Sequence, residues 1–172
     1  MLLYPVRKQN DSGFTLIEII VVTIIIGIVA AISAPNFFSL LQRNRVTEAL
    51  NSIEGALREG QKQAERDGEL CDLTIDTAND QVSGNCLFNT RILDNNVQLH
   101  SNADTLSFSS KGTASAANSG VAITTAVMVV DIANETNSRK CLVVNSLGII
   151  KTGDFTADPT TSANIVPANC DA

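Results

Sequence analysis

Between Phe14 and Ala34 the chain has 21 consecutive residues without lysine or arginine and with a single carboxylate, Glu18. As a helix rising about 1.5 Å per residue, such a run is long enough to cross a hydrocarbon core of about 30 Å. A carboxylate in that setting costs on the order of 2.5 to 3.5 kcal/mol on insertion scales, so it needs a partner. The first turn of the helix supplies one, because its free N–H groups and dipole favour a negative charge by roughly 0.3 to 1 kcal/mol. A cation from another chain would be a stronger one.

The residues around the run set its orientation. Arg7 and Lys8 precede it, so the positive-inside rule keeps residues 1–13 in the cytoplasm and sends everything after Pro35 outside. Arg43 and Arg45 weaken a simple count, but they follow a short basic leader that has already fixed the direction. A secretory signal peptide has an apolar segment of about 7 to 15 residues with a small-residue cleavage site on its far side. Here the run is longer, and the small residue, Gly13, lies on the near side.

Gly13-Phe14-Thr15-Leu16-Ile17-Glu18, followed by a long apolar helix, resembles the type III signal of type IV pilins and type II secretion pseudopilins. The resemblance implies that a prepilin peptidase cuts between Gly13 and Phe14 and methylates the new amine of Phe14. Glu18 then becomes the fifth residue of the mature chain, where the family's glutamate pairs with the N-terminal amine of a neighbouring subunit. Pro35 matches the family's proline near the end of the apolar segment. The partners implied are the peptidase, the inner membrane before assembly, and other pilins or pseudopilins through the N-terminal helix.

Residues 36–67 continue as an amphipathic helix. Phe37, Leu40, Leu41, Val46, Ala49, Leu50, Ile53, Ala56, Leu57, Gly60 and Ala64 recur at three- and four-residue steps, which makes one apolar stripe. Gly68 is the expected stop. Beyond it, alternating or β-branched runs at 71–75, 97–101, 105–109, 121–133, 140–145 and 148–152 read as strands, with residues 121–133 holding one long strand or two with a bend. Asn79-Asp80, Asn95-Asn96, Lys111-Gly112 and Asn118-Ser119-Gly120 are turn candidates. The expected class is α+β: a long N-terminal helix, half transmembrane and half amphipathic, packed on an antiparallel β-sheet or two-sheet β-sandwich head. Its divisions are a leader at 1–13, a membrane and filament-core helix at 14–34, the amphipathic continuation at 35–67, and a β-rich head at 68–172 in the periplasm or beyond the cell. The tail from Phe155 reads as irregular and tied down through Cys170.

Cys71, Cys86, Cys141 and Cys170 all fall on the exported side, where disulfides form and persist. Four cysteines permit three pairings. Cys71 with Cys86 and Cys141 with Cys170 is favoured because each closes a short local loop, and the sequence does not decide it. Zinc is the competing idea, against which stand the wide cysteine spacing and the single histidine, His100.

Leu106-Ser107-Phe108-Ser109-Ser110-Lys111-Gly112 and Arg139-Lys140-Cys141 through Gly153 resemble the head of H-type pseudopilins and FimT-type minor pilins. That resemblance implies a low-abundance subunit that helps assemble, prime or cap a filament. The first reading is therefore a minor pilin-like structural subunit of a type IV pilus, held as a single-pass inner-membrane protein with its head in the periplasm and then moved into the filament. An H-type pseudopilin of a type II secretion system is the alternative. A DNA-binding minor pilin for natural transformation is a third. Charge argues against the third, because residues 68–172 carry five cations and eleven carboxylates, a net of −6, whereas phosphate binding wants the opposite balance. Where the FimT-type turn has arginine after its glycine, this chain has Ile149 and Ile150, leaving Lys151. His100 reads as a surface histidine. With no phosphate loop, nucleophile motif or metal-spaced cluster, no catalytic residue, cofactor or metal is expected.

Overall fold

The structure, a computed structural model, describes residues 13–133, 135 and 138–172. The leader residues 1–12, with Arg7 and Lys8, lie outside the described residues, as does the side chain of Pro35. The chain divides into two compact units, residues 1–40 and 41–172.

Helix α1 spans Leu16–Asp67. In the second unit its buried residues are Val46, Ala49, Leu50, Ile53, Ala56, Leu57, Gly60 and Ala64, the three- and four-residue spacing of one helical face. Phe37, Leu40 and Leu41 belong to the same sequence stripe but are exposed. Periodicity reports which face of a helix is apolar; it does not report whether anything covers that face. Gly60 stands at a close approach of the helix to the head, since a Cβ there would lie 2.9 Å from Cys71 Sγ and 3.3 Å from Leu73 Cδ1. Gly68, at φ 75°, ends the helix, and its N–H donates to the Ala64 carbonyl at 3.0 Å.

The head contains β1 (Cys71–Asp76), β2 (Gln81–Gly84), β3 (Arg91–Ile92), β4 (Gln98–Ser101), β5 (Thr105–Phe108), β6 (Ala114–Asn118), β7 (Val121–Ile123), β8 (Thr125–Asp131), β9 (Lys140–Asn145), β10 (Ile150–Phe155) and β11 (Cys170–Asp171). They form two antiparallel sheets, one in the order β3-β2-β1-β5-β6-β7 and the other in the order β11-β10-β9-β8-β4. The run 121–133 thus holds two strands, and the break between them is a change of sheet: β7 closes the first and β8 lies inside the second. Asn102 satisfies the backbone at this crossing, donating from Nδ2 to the Thr125 carbonyl at 3.1 Å and accepting the Val127 N–H on Oδ1 at 2.8 Å.

One core joins the helix to both sheets, through Ile53 and Leu57 of α1, Leu73 and Phe108 of the first sheet, and Leu99, Met128 and Leu142 of the second. Because β8 is central and covered on both faces, its side chains divide between two cores. Ala126, Met128 and Val130 enter the main core, while Val127 and Val129 join Cys141, Phe155 and Ile165 in a smaller one. The tail after Phe155 is therefore an ordered cover for the outer face of the second sheet, with short 3₁₀ turns at Ser162–Asn164 and Pro167–Asn169 before β11.

Candidate assembly site

The N-terminal unit is built around the start of α1. Thr15 caps it: Thr15 Oγ1 accepts the Glu18 N–H at 3.3 Å, and the Thr15 carbonyl accepts the N–H groups of Glu18 at 3.1 Å and Ile19 at 3.3 Å. Thr15 and Glu18 have the Ser/Thr-x-x-Glu spacing of a capping box, in which the acidic residue falls in the first turn beside the positive end of the helix dipole. Sequence reasoning singled out Glu18 and passed over Thr15, although the Thr-x-x-Glu pattern was present to be read.

From Phe14 to Ile32 the large apolar side chains are exposed, including the unbroken series Ile19, Ile20, Val21 and Val22, which turns through the full circumference of a helix. The segment is long and apolar enough to cross a membrane. A helix apolar all round is stable only within lipid or among other helices. Its hydroxyls are satisfied internally: Thr23 donates to the Ile20 carbonyl and Ser33 to the Val29 carbonyl, each at 2.9 Å. The Glu18 carboxylate has no such arrangement. It is exposed and has no hydrogen-bond or ion-pair partner among the described residues. Gly13 and Phe14 stand just before the cap, also exposed and outside regular structure.

In the head, the structure joins Cys71 to Cys86 and Cys141 to Cys170, with Cα separations of 5.5 and 5.9 Å. The first bond ties β1 to the loop after β2. The second ties β11 to β9 across β10, and so holds down the tail.

Two of the three cations that would serve DNA binding, Arg139 and Lys140, are committed elsewhere. Lys140 Nζ pairs with Asp154 at 2.5 Å, and Arg139 Nη1 donates to the Ala157 carbonyl at 2.8 Å. Arg139 also stands 3.8 Å from buried Asp131 and 3.9 Å from Asp158. The backbone N–H of Thr160, followed by its hydroxyl, holds the Asp158 carboxyl below its ordinary range, with a smaller contribution from the charge of Arg139. Lys151 is exposed on β10. His100 is not the surface histidine its polar neighbours suggested. It is half-buried, with Nε2 3.2 Å from Asp131 Oδ1, because β4 is paired with β8 and Asp131 ends that interior strand.

Residues 8–34 match the prokaryotic N-terminal methylation motif. Over 48 residues, 28% of this chain and 31% of the relative, the sequence is 46% identical to fimbrial protein EcpC of Eikenella corrodens. Over another 48-residue alignment it is 44% identical to type II secretion system core protein G of Pseudomonas aeruginosa, covering 28% of this chain and 34% of that one. Its N-terminal segment is similar to those of type IV pilins and type II secretion pseudopilins. Its alignments span about a third of the length of these relatives. The head of this pilin-like chain is compared through its fold: the crystal structure of the type IV minor pilin FimU of Pseudomonas aeruginosa superposes with a TM-score of 0.53 at 12% identity, covering 71% of this chain and 95% of that one. The α+β pilin fold is common to both.

Proposed function

We propose that the chain is a minor pilin-like structural subunit of a type IV pilus, cut between Gly13 and Phe14, methylated on Phe14, and built into the filament through its N-terminal helix. Its role is assembly, priming or capping, not catalysis. The observation that carries this reading is the exposed Glu18 carboxylate, without a hydrogen-bond or ion-pair partner among the described residues, at the start of an otherwise apolar and exposed segment. Before assembly, lipid covers that helix and the head faces the periplasm. On assembly, neighbouring helices replace lipid, and the N-terminal amine of an adjacent subunit meets Glu18. The pairing neutralises a charge that is costly in an apolar setting, and it selects one axial register between helices. Pro35 is placed by this reading at the end of the filament-core segment.

The FimU-like head favours a minor pilin. The likeness of the N-terminal segment to a type II secretion core protein supports the second reading, an H-type pseudopilin, since the same helix serves both assemblies. Locating the mature chain separates them. Recovery in filaments sheared from cells of the native host supports the pilus, and recovery solely in the envelope, with protein secretion lost on deletion, supports the pseudopilin. A third reading, DNA uptake, is disfavoured by the ion pairs of Arg139 and Lys140.

A further inference from the structure

Phe88 is 80% exposed, the most open phenylalanine of the head, yet its loop is held from several directions. Its backbone N–H donates to Glu59 Oε1 at 2.9 Å, and Glu59 Oε2 pairs with Arg91 Nη2 at 2.7 Å. The Cys71–Cys86 disulfide fixes the loop two residues before it. A disulfide, an ion pair and a charge-assisted hydrogen bond therefore order a segment that displays an uncovered aromatic ring. Burial within the subunit does not explain that arrangement. Pre-ordering does bear on association, because it lowers the entropy lost when an aromatic anchor docks.

Beside the ring lies a cleft of about 280 Å³ between the last turn of α1 and this loop. Leu70, Leu87 and Phe88 contribute its apolar part, and the larger polar part includes the carboxylates of Asp67 and Glu69. Leu70 is itself 64% exposed. Asp67 is oriented by Gln63 Nε2 at 2.7 Å. None of the lining residues is basic, Arg66 of the same turn not being among them. The final carbonyls of α1 add the negative end of the helix dipole. The site thus has a mainly polar lining that bears two carboxylates, with a smaller apolar strip from Leu70, Leu87 and Phe88 along which a long stem can lie.

Building on the filament reading, we propose that this cleft receives an arginine or lysine side chain from a neighbouring filament subunit. The aliphatic stem lies along Leu70 and Leu87, and the charge meets Asp67 and Glu69 beside the Phe88 ring face. The same carboxylates repel nucleic acid and anionic lipid, which selects a protein partner.

The test is photo-crosslinking from p-benzoylphenylalanine placed at Phe88 of the full chain in its native host, with the crosslinked peptides sequenced. The expected product joins residue 88 to another subunit's peptide containing arginine or lysine. Asp67→Lys with Glu69→Lys should lower its yield about tenfold while leaving membrane level and the Cys71–Cys86 bond unchanged. Asp67→Asn with Glu69→Gln keeps the side-chain shapes and should also reduce the yield. Crosslinks to lipid or nucleic acid alone, or a yield indifferent to both double variants, would overturn the proposal. Incorporation into filaments without the crosslink would overturn the docking site alone. The subunit crosslink in a membrane-held chain that never enters a filament would retain the docking site and remove the filament reading.

Discussion

Gln61 Nε2 lies 3.1 Å from the carbonyl oxygen of Gly148 and donates to it, and the same nitrogen donates to the Gly112 carbonyl at 2.9 Å. One side chain of α1 therefore satisfies a turn from each sheet: Gly112 lies between β5 and β6, and Gly148 between β9 and β10. Gly148 sits at φ 78°, and a Cβ on it would strike the Gly112 carbonyl, so the two turns meet closely because Gly148 lacks a side chain.

Gln61→Ala leaves two part-buried carbonyls without this donor and should cost about 1 to 2 kcal/mol. Gly148→Ala should cost more, above about 2 kcal/mol, because it adds left-handed backbone strain to a steric displacement. Urea unfolding of the full chain in detergent micelles, followed by circular dichroism, reads both. A Gly148→Ala midpoint equal to the parent would contradict this account of the junction.

The Cys141–Cys170 bond closes a separation of 29 residues and holds the tail over Val127 and Val129. Cys141→Ser with Cys170→Ser should destabilise the head by about 3 kcal/mol in the chain-entropy account. Limited proteolysis should then cut first after Phe155 and leave the main core intact. Initial cleavage within the first sheet would show that the tail is not the segment this bond secures.

These features differ in how much of them the sequence announces. The helical stripe from Val46 to Ala64, the Gly68 stop and strands β1, β4, β5 and β9 are carried by local periodicity, and all were legible. Gln81-Val82-Ser83-Gly84 and Ala114-Ser115-Ala116-Ala117-Asn118 were not read as strands. Their small residues carry little β signal, and pairing with β1 and β5 decides their state. The transfer of the chain between sheets at Thr124 is equally non-local, because both flanking segments are β-branched and alternate well. At the N-terminus, Glu18 was conspicuous as a charge in an apolar run, whereas Thr15 passed as an ordinary member of it until the cap geometry was seen.

Three carboxylates make acid sensitivity a further expectation. Hydrogen bonds lower the pKa of Asp76, chiefly from the Asn79 side chain, of Asp94, chiefly from the Asn96 backbone, and of Asp158, chiefly from the Thr160 backbone, each from an ordinary 3.8. A folded-state pKa below the unfolded value contributes stability that is present above about 3.8 and is lost as pH falls through the lowered values. The urea midpoint should therefore drop as acid titrates this range, and Asp76→Asn with Asp94→Asn and Asp158→Asn should flatten the drop. An unchanged acid profile in the triple variant would refute the assignment.

Glu18→Ala removes the lone charge from the apolar segment. Membrane insertion should persist, because the remaining run is still long and apolar, while recovery in filaments should fall at least about tenfold if the lost pair is worth the 1.4 kcal/mol that such a factor represents. Immunoblots of membrane and sheared-filament fractions give both quantities from one culture. Wild-type incorporation would remove Glu18 from the assembly mechanism.

The most direct measurement is the intact mass and N-terminal sequence of the chain recovered from its native host. The account predicts a mature protein that begins with N-methylated Phe14 and contains two disulfides, and it predicts that replacing Gly13 with a bulky residue leaves the precursor uncut. A native chain still beginning at Met1 in assembled filaments would contradict it.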